Sequence, residues 1–145
     1  MDDKLMTGRD IRGTEETGLT VELAWDMGKA LAEWLPGDSG VAVAYVQSQE
    51  HVADAVIEGL RLQGRAVVSS GVTDVATTKK FALEHNLAAV VVIDFDEATQ
   101  VTTIELYGEG GKLIDGAGGL GEVLELAKAG NFVPAPDKGE LTGLV

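Results

Sequence analysis

Ala88-Ala89-Val90-Val91-Val92-Ile93-Asp94-Phe95-Asp96 is the stretch on which the fold turns. Its apolar run, Leu87 to Ile93, does not alternate with polar residues. An unbroken run of this length marks a strand covered on both faces, as in a parallel sheet flanked by helices. Upstream, Val41 to Val46 and Ala66 to Ser69 read as two further strands. Between the strands the apolar period changes from two to 3.6. Thr20 is a suitable N-cap, and Val21, Ala24, Met27, Leu31 and Trp34 follow at helical spacing until Pro36-Gly37. Ser48 is expected to cap a second helix with a stripe of Val52, Ala55, Val56, Gly59 and Leu60, closed by Gly64. Thr73 or Asp74 opens a third helix, which ends near His85 at Asn86.

Downstream, Val101 to Tyr107 reads as a fourth strand, too close to the third for a helical crossover and therefore antiparallel. Gly108 to Gly111 turns the chain, Lys112 to Ile114 returns briefly, and Gly121 to Ala129 forms a last helix closed by Gly130. The fold class expected is α/β: a three-layer α/β/α sandwich on a mixed sheet of about four strands, three parallel and one an antiparallel edge. Residues 1–133 are read as one domain, with 1–18 an irregular entry, and 134–145, carrying Pro134 and Pro136, as a linker-like tail.

Composition narrows the function. The chain has 145 residues, with 11 Lys+Arg against 24 Asp+Glu, a formal net charge of −13. Nucleic-acid and anionic-membrane binding rely on clustered cations, so neither is expected. There is no cysteine, which excludes disulfides and thiol chemistry, and only two histidines, His51 and His85. No apolar run approaches the roughly 20 residues of a membrane span. The acidic Met1-Asp2-Asp3-Lys4 start does not resemble a signal peptide, so a cytoplasmic location is expected.

Three polar segments are candidates for chemistry. Gly116-Ala117-Gly118-Gly119-Leu120-Gly121 spells G-x-G-x-x-G, but no strand follows its helix to receive a ribose, and a loop is expected. Asp94, Asp96 and Glu97 place three hard oxygen ligands within four positions at a strand end, where Mg²⁺ could bind. The same Asp-x-Asp after four apolar residues resembles the nucleophile motif of haloacid dehalogenase phosphotransferases, although Ala98 stands where that family has Thr or Val. Arg9 and Arg12, in Arg9-Asp10-Ile11-Arg12-Gly13, could present guanidinium forks to a phosphate.

Asp10-Ile11-Arg12-Gly13, Leu19-Thr20 with Glu22-Leu23-Ala24, and Gly28-Lys29-Ala30-Leu31-Ala32 together resemble the opening of the α-D-phosphohexomutases, the phosphoglucomutases and phosphomannomutases. The resemblance continues through Ile57 to Gly64, Gly71-Val72-Thr73, Ile104 to Tyr107 and Glu125 to Phe132, and Gly139-Glu140-Leu141 resembles the entry to that family's second domain. It implies the family's first-domain fold and a serine segment, Thr-Ala-Ser-His-Asn-Pro, that carries the transferred phosphoryl group and helps ligate Mg²⁺. Here that stretch corresponds to Asp94-Phe95-Asp96-Glu97-Ala98-Thr99, with Asp96 at or next to the serine position. Ala44-Tyr45-Val46 replaces the family's Gly-Arg-Asp, and Arg9 its Tyr.

The expectation is therefore a stand-alone, catalytically inactive first-domain homologue that acts as an interaction or regulatory module, with a protein partner or a second copy of itself. The alternatives are one subunit of a split phosphohexomutase, which would be an intramolecular phosphotransferase on hexose phosphates, and a phosphosugar-binding module using Arg9 and Arg12.

Overall fold

A computed structural model describes residues 5–71 and 74–143. The N-terminal tetrapeptide, Val72, Thr73, Leu144 and Val145 lie outside the described residues, and with them the readings placed on Met1 to Lys4 and Thr73.

The elements in chain order are β1 (Ile11–Gly13), α1 (Val21–Trp34), β2 (Val41–Tyr45), α2 (Glu50–Leu62), β3 (Val67–Gly71), α3 (Val75–Glu84), β4 (Ala89–Asp96), β5 (Val101–Tyr107), α4 (Gly121–Ala129) and β6 (Leu141–Gly143). One sheet holds the strands in the order β1-β5-β4-β2-β3-β6. β2 runs parallel to β3 and β4, β6 runs parallel to β3, and β5 is antiparallel to both β4 and β1.

The two faces carry different loads. Val41, Val43, Val91, Ile93, Ile104 and Leu106 point into the larger core beneath α1, α2 and α4. Ala42, Val90, Val92 and Tyr107 point the other way, toward Val75 and Ala82 of α3. Helices therefore lie on both faces, which explains why β2 and β4 read as unbroken apolar runs rather than alternating ones. The α/β/α class holds.

The strand count is larger than expected: six among the described residues, not about four. β5 is antiparallel as expected but is not the edge, because β1 pairs with it through Ile11↔Ile104, Arg12↔Thr103 and Gly13↔Thr102. β1 lies within the segment expected to be irregular. The tail expected to be linker-like carries β6 on the opposite edge, with Val67↔Leu141 and Ser69↔Gly143 in register. Both strands are three residues long, too short for any periodicity to show. Lys112 to Ile114 forms only an isolated bridge, Tyr107↔Leu113.

The local signals mostly act as read. Thr20 Oγ1 accepts from the Leu23 amide and Asp74 Oδ1 from the Thr77 amide, so both residues cap their helices. Asn86 and Gly130 take positive φ (53° and 69°) where their helices end. Ser48 is not the cap of α2. It lies in a 3₁₀ turn, Gln47–Gln49, and Gln49 precedes the helix without a side-chain cap.

α1 and α2 cross at two glycines. A Cβ on Gly28 would lie 2.2 Å from the Val56 carbonyl oxygen, and one on Gly59 would lie 2.1 Å from that of Trp25. Neither distance leaves room for a side chain, so the crossing exists because both residues lack one.

Candidate functional site

β2 and β3 are adjacent and parallel, yet the helices that follow them pack on opposite faces. In open α/β sheets such a divergence opens a crevice beyond the carboxyl ends of the strands, where ligands commonly bind. A cavity of about 370 Å³ lies beside it, at the carboxyl ends of β2 and β4, lined by Ala44 and Tyr45 of β2 and Val46 after it, Val92, Ile93 and Asp94 of β4, and Asp74 and Val75 at the start of α3. Its floor is apolar and its two charged residues are carboxylates. Asp74 accepts from the Thr77 amide and from Thr77 Oγ1, and these hydrogen bonds hold its carboxyl below the usual aspartate range.

From this crevice the α3 face of the sheet continues over β5 and β1 as a polar surface. The pairing sets Asp94, Thr103 and Arg12 in one cross-strand row. Two strand spacings separate Arg12 from Asp94, about 10 Å of backbone. Thr103, Glu105 and Tyr107 share this face of β5 by alternation.

The two arginines singled out by the sequence reach this face, and both already have carboxylate partners. Arg9 Nε donates to Glu105 Oε2 at 2.8 Å, and Arg9 Nη2 donates to Tyr107 Oη at 3.4 Å. Hydrogen bonding to Glu105, reinforced by its charge, raises the guanidinium above the ordinary arginine value. Tyr107 Oη donates to Glu105 Oε1 at 3.0 Å, and Lys79 Nζ lies 3.5 Å above the Tyr107 ring. Burial, then Glu105, pushes the Tyr107 phenol up. Arg12 Nη2 donates to Asp10 Oδ2 at 3.1 Å. Asp10 is buried and held by Thr7, whose hydroxyl donates to Asp10 Oδ1 at 2.7 Å.

The acidic triad does not assemble. Asp94 and Asp96 share a face of β4, whereas Glu97 lies in the turn beyond it. The Phe95 amide donates to Asp94 Oδ1, and the Ala98 amide to Asp96 Oδ1, so both carboxylates fold onto their own backbone. Among the described residues no three His, Cys, Asp or Glu side chains converge as metal ligands. The residues present do not fit a resident Mg²⁺.

The glycine segment forms a single wide turn, Gly116–Leu120, with the Gly118 amide donating to Asp115 Oδ1. Gly119, at φ 141°, lies against the Trp34 indole, so the segment packs against α1 rather than forming an open cradle.

Sequence reasoning missed Glu105, Tyr107, Asp10 and Lys79. Alternation along Val101 to Tyr107 could have put Glu105 and Tyr107 on one face. Nothing local brings Arg9 to them.

By sequence, no family model matches the chain, and no curated protein matches it. By structure, it superposes on a phosphoglucomutase/phosphomannomutase family protein from Burkholderia thailandensis with a TM-score of 0.77 at 18% identity, covering 99% of this chain and 33% of that one. This chain has a phosphohexomutase-type domain fold. A Thermus thermophilus protein described as a phosphomannomutase superposes with a TM-score of 0.71 at 16% identity, over 95% of this chain and 32% of that one. The chain thus spans about a third of the length of these mutase-fold proteins.

Proposed function

We propose that this chain is a non-catalytic phosphohexomutase-type domain that works as an interaction or regulatory module. One observation carries the reading. At the end of β4, the stretch that resembles the family's phosphoserine segment carries Asp96, and the carboxylate of Asp96 closes its own turn through the Ala98 amide at 2.9 Å. A mutase cycle needs a phosphoryl carrier, a metal and a water-excluding cleft. Asp96 brings no serine hydroxyl to the first, and its carboxylate is held by its own turn; among the described residues the acidic triad offers no convergent ligand set for the second. The crevice is open, and carboxylates are its charged lining. Arg9 and Arg12 are each engaged by a carboxylate, and a net charge of −13 repels phosphosugars at long range.

The test combines catalysis and binding. The purified chain is incubated with glucose 1-phosphate, mannose 1-phosphate and Mg²⁺, alone and with a full-length phosphohexomutase of the same source. The reading expects no turnover and no acid-labile phosphate on the chain alone, flat Asp94 and Asp96 NMR shifts in millimolar Mg²⁺, and binding to the full-length enzyme or altered kinetics of it. Turnover by the chain alone overturns the reading. Turnover only when separate polypeptides carrying the remaining domains are added would make it one subunit of a split mutase.

A further inference from the structure

The strap that runs from residue 130 to β6 has a construction independent of the reading above. It leaves α4 at Gly130, crosses the carboxyl end of α2, and joins the sheet along the outer edge of β3. Besides its ladder with β3 and a Gln63 Nε2 donation to the Val133 carbonyl at 3.0 Å, backbone-directed hydrogen bonds hold it at both ends of the α2 crossing. The Ala135 amide donates to the Leu62 carbonyl and the Gly139 amide to that of Arg61, both at 2.9 Å. Arg61 Nε donates to the Gly139 carbonyl at 2.9 Å, and the Val67 amide donates to that of Glu140 at 2.8 Å. Lys138 Nζ and Arg61 Nη1 grip opposite oxygens of Glu58, at 2.6 Å and 2.7 Å.

These contacts are specific but shallow. All three residues of β6 are exposed, and between residues 134 and 143 only Gly139 is buried. A segment held by backbone hydrogen bonds and exposed ion pairs, with little apolar burial, opens far more readily than the core. Opening bares the outer edge of β3 together with the Arg61 and Leu62 carbonyls. An unpaired edge is a template for another strand, and the segment that fits this one in register is the strap itself. The hinge suits exchange. Residues 131–134 carry no helix or strand, and Pro134 and Pro136 favour an extended path over a tight return. Val133, 83% exposed, lies in this hinge, where two exchanging chains would cross.

We propose that two copies of this chain exchange their straps, residues 135–143 of each pairing with β3 and capping α2 of the other, to form a two-fold domain-swapped dimer. The exchanged dimer keeps every contact that residues 135–143 make in the monomer and adds the hinge crossing, and for that reason reciprocal exchange of an identical element is a low-cost route to dimers.

The absence of native cysteine makes the test direct. Glu58→Cys/Lys138→Cys places two thiols where the ion pair stood, and a short bismaleimide joins them. The wild-type chain is refolded at millimolar and at micromolar concentration and its mass is read by light scattering. The double variant is cross-linked in parallel and run on a denaturing gel. Exchange predicts a species of twice 15.1 kDa after concentrated refolding, and covalent dimers in the same proportion. It also predicts that variant cross-linked within one chain at low concentration, with unchanged circular dichroism, no longer dimerises. A chain that stays monomeric at millimolar concentration overturns the proposal. So does a dimer in which every cross-link is intramolecular, since that dimer forms through another face.

Discussion

Arg65 Nη2 donates to the Leu35 carbonyl at 2.5 Å, inside the protein and, among the described residues, without a carboxylate in hydrogen-bond reach. The same guanidinium donates through Nε to Ala32 and through Nη1 to Ser39, so one side chain closes the carboxyl end of α1. The orphan carbonyls of a helix end must find donors, and the negative end of its dipole favours a cation. Burial pulls the Arg65 guanidinium below the ordinary arginine value, against the opposing charge of Asp38, but an arginine stays charged across the working pH range.

Arg65→Met keeps the aliphatic stem and strands those carbonyls. It is expected to cost about 3 kcal/mol, since buried polar groups left unpaired lose roughly 1–3 kcal/mol each. Urea unfolding should show a lower midpoint with an unchanged slope. Arg65→Lys should recover only part of the loss, because one ammonium cannot reach carbonyls placed for a planar fork.

Gly28→Ala is expected to be far more harmful than Gly8→Ala. The first new methyl meets the Val56 carbonyl, while nothing lies within 4 Å of the second. Helices α1 and α2 would have to separate, at about 3 kcal/mol or more, the upper range for overpacking. Gly8→Ala should stay within about 0.5 kcal/mol, the usual range of surface substitutions. A difference in thermal midpoint between the two variants checks this.

Gly119→Ala is expected to displace the Trp34 ring, because a Cβ would fall 2.2 Å from ring carbon Cζ2 at a backbone φ of 141°. The Trp34 Nε1 donation to Glu122 Oε2, now 3.0 Å, should be lost with it. Trp34 fluorescence, read in a Trp25→Phe background, should shift to the red as the indole meets water. An unchanged spectrum would mean that the 116–120 turn moves instead.

The strap should loosen in acid. The Lys138 hydrogen bond is the first cause, and Arg61 a further one, by which the Glu58 carboxyl lies below its ordinary value of 4.5, against a partial burial that raises it. A group whose folded pKa is depressed stabilises the fold above its unfolded value and loses that contribution as pH falls through the folded value. Amide exchange at Gly139, corrected for intrinsic rate, should therefore accelerate below about pH 4.5. In Glu58→Gln it should already be fast at pH 7 and should not change across that window.

The unbroken apolar runs of β2 and β4, the capping residue Thr20, the start of α3 at Thr73 or Asp74, and the terminators Asn86 and Gly130 were all legible in the sequence. Each is a local rule, written in spacing or in one residue's conformational preference. So were the layered α/β/α class and the position of Asp94 and Asp96 at the end of β4; the place of Arg9 and Arg12 beside β5 was not, because β1 was not foreseen. What those residues do there was not legible. Whether Arg9 is free or held by Glu105 depends on β1 adding to the far side of β5, and whether Glu97 joins Asp94 and Asp96 depends on how the β4–β5 turn closes. The three-residue strands β1 and β6 follow the same logic, since they exist only where a neighbouring edge offers hydrogen bonds. Sequence determined the layers because burial selects residue type. Tertiary structure alone decided the pairing of charges and the sheet edges, because Coulomb and hydrogen-bond energies depend on distances between residues far apart in the chain, and no spacing along the chain records those distances.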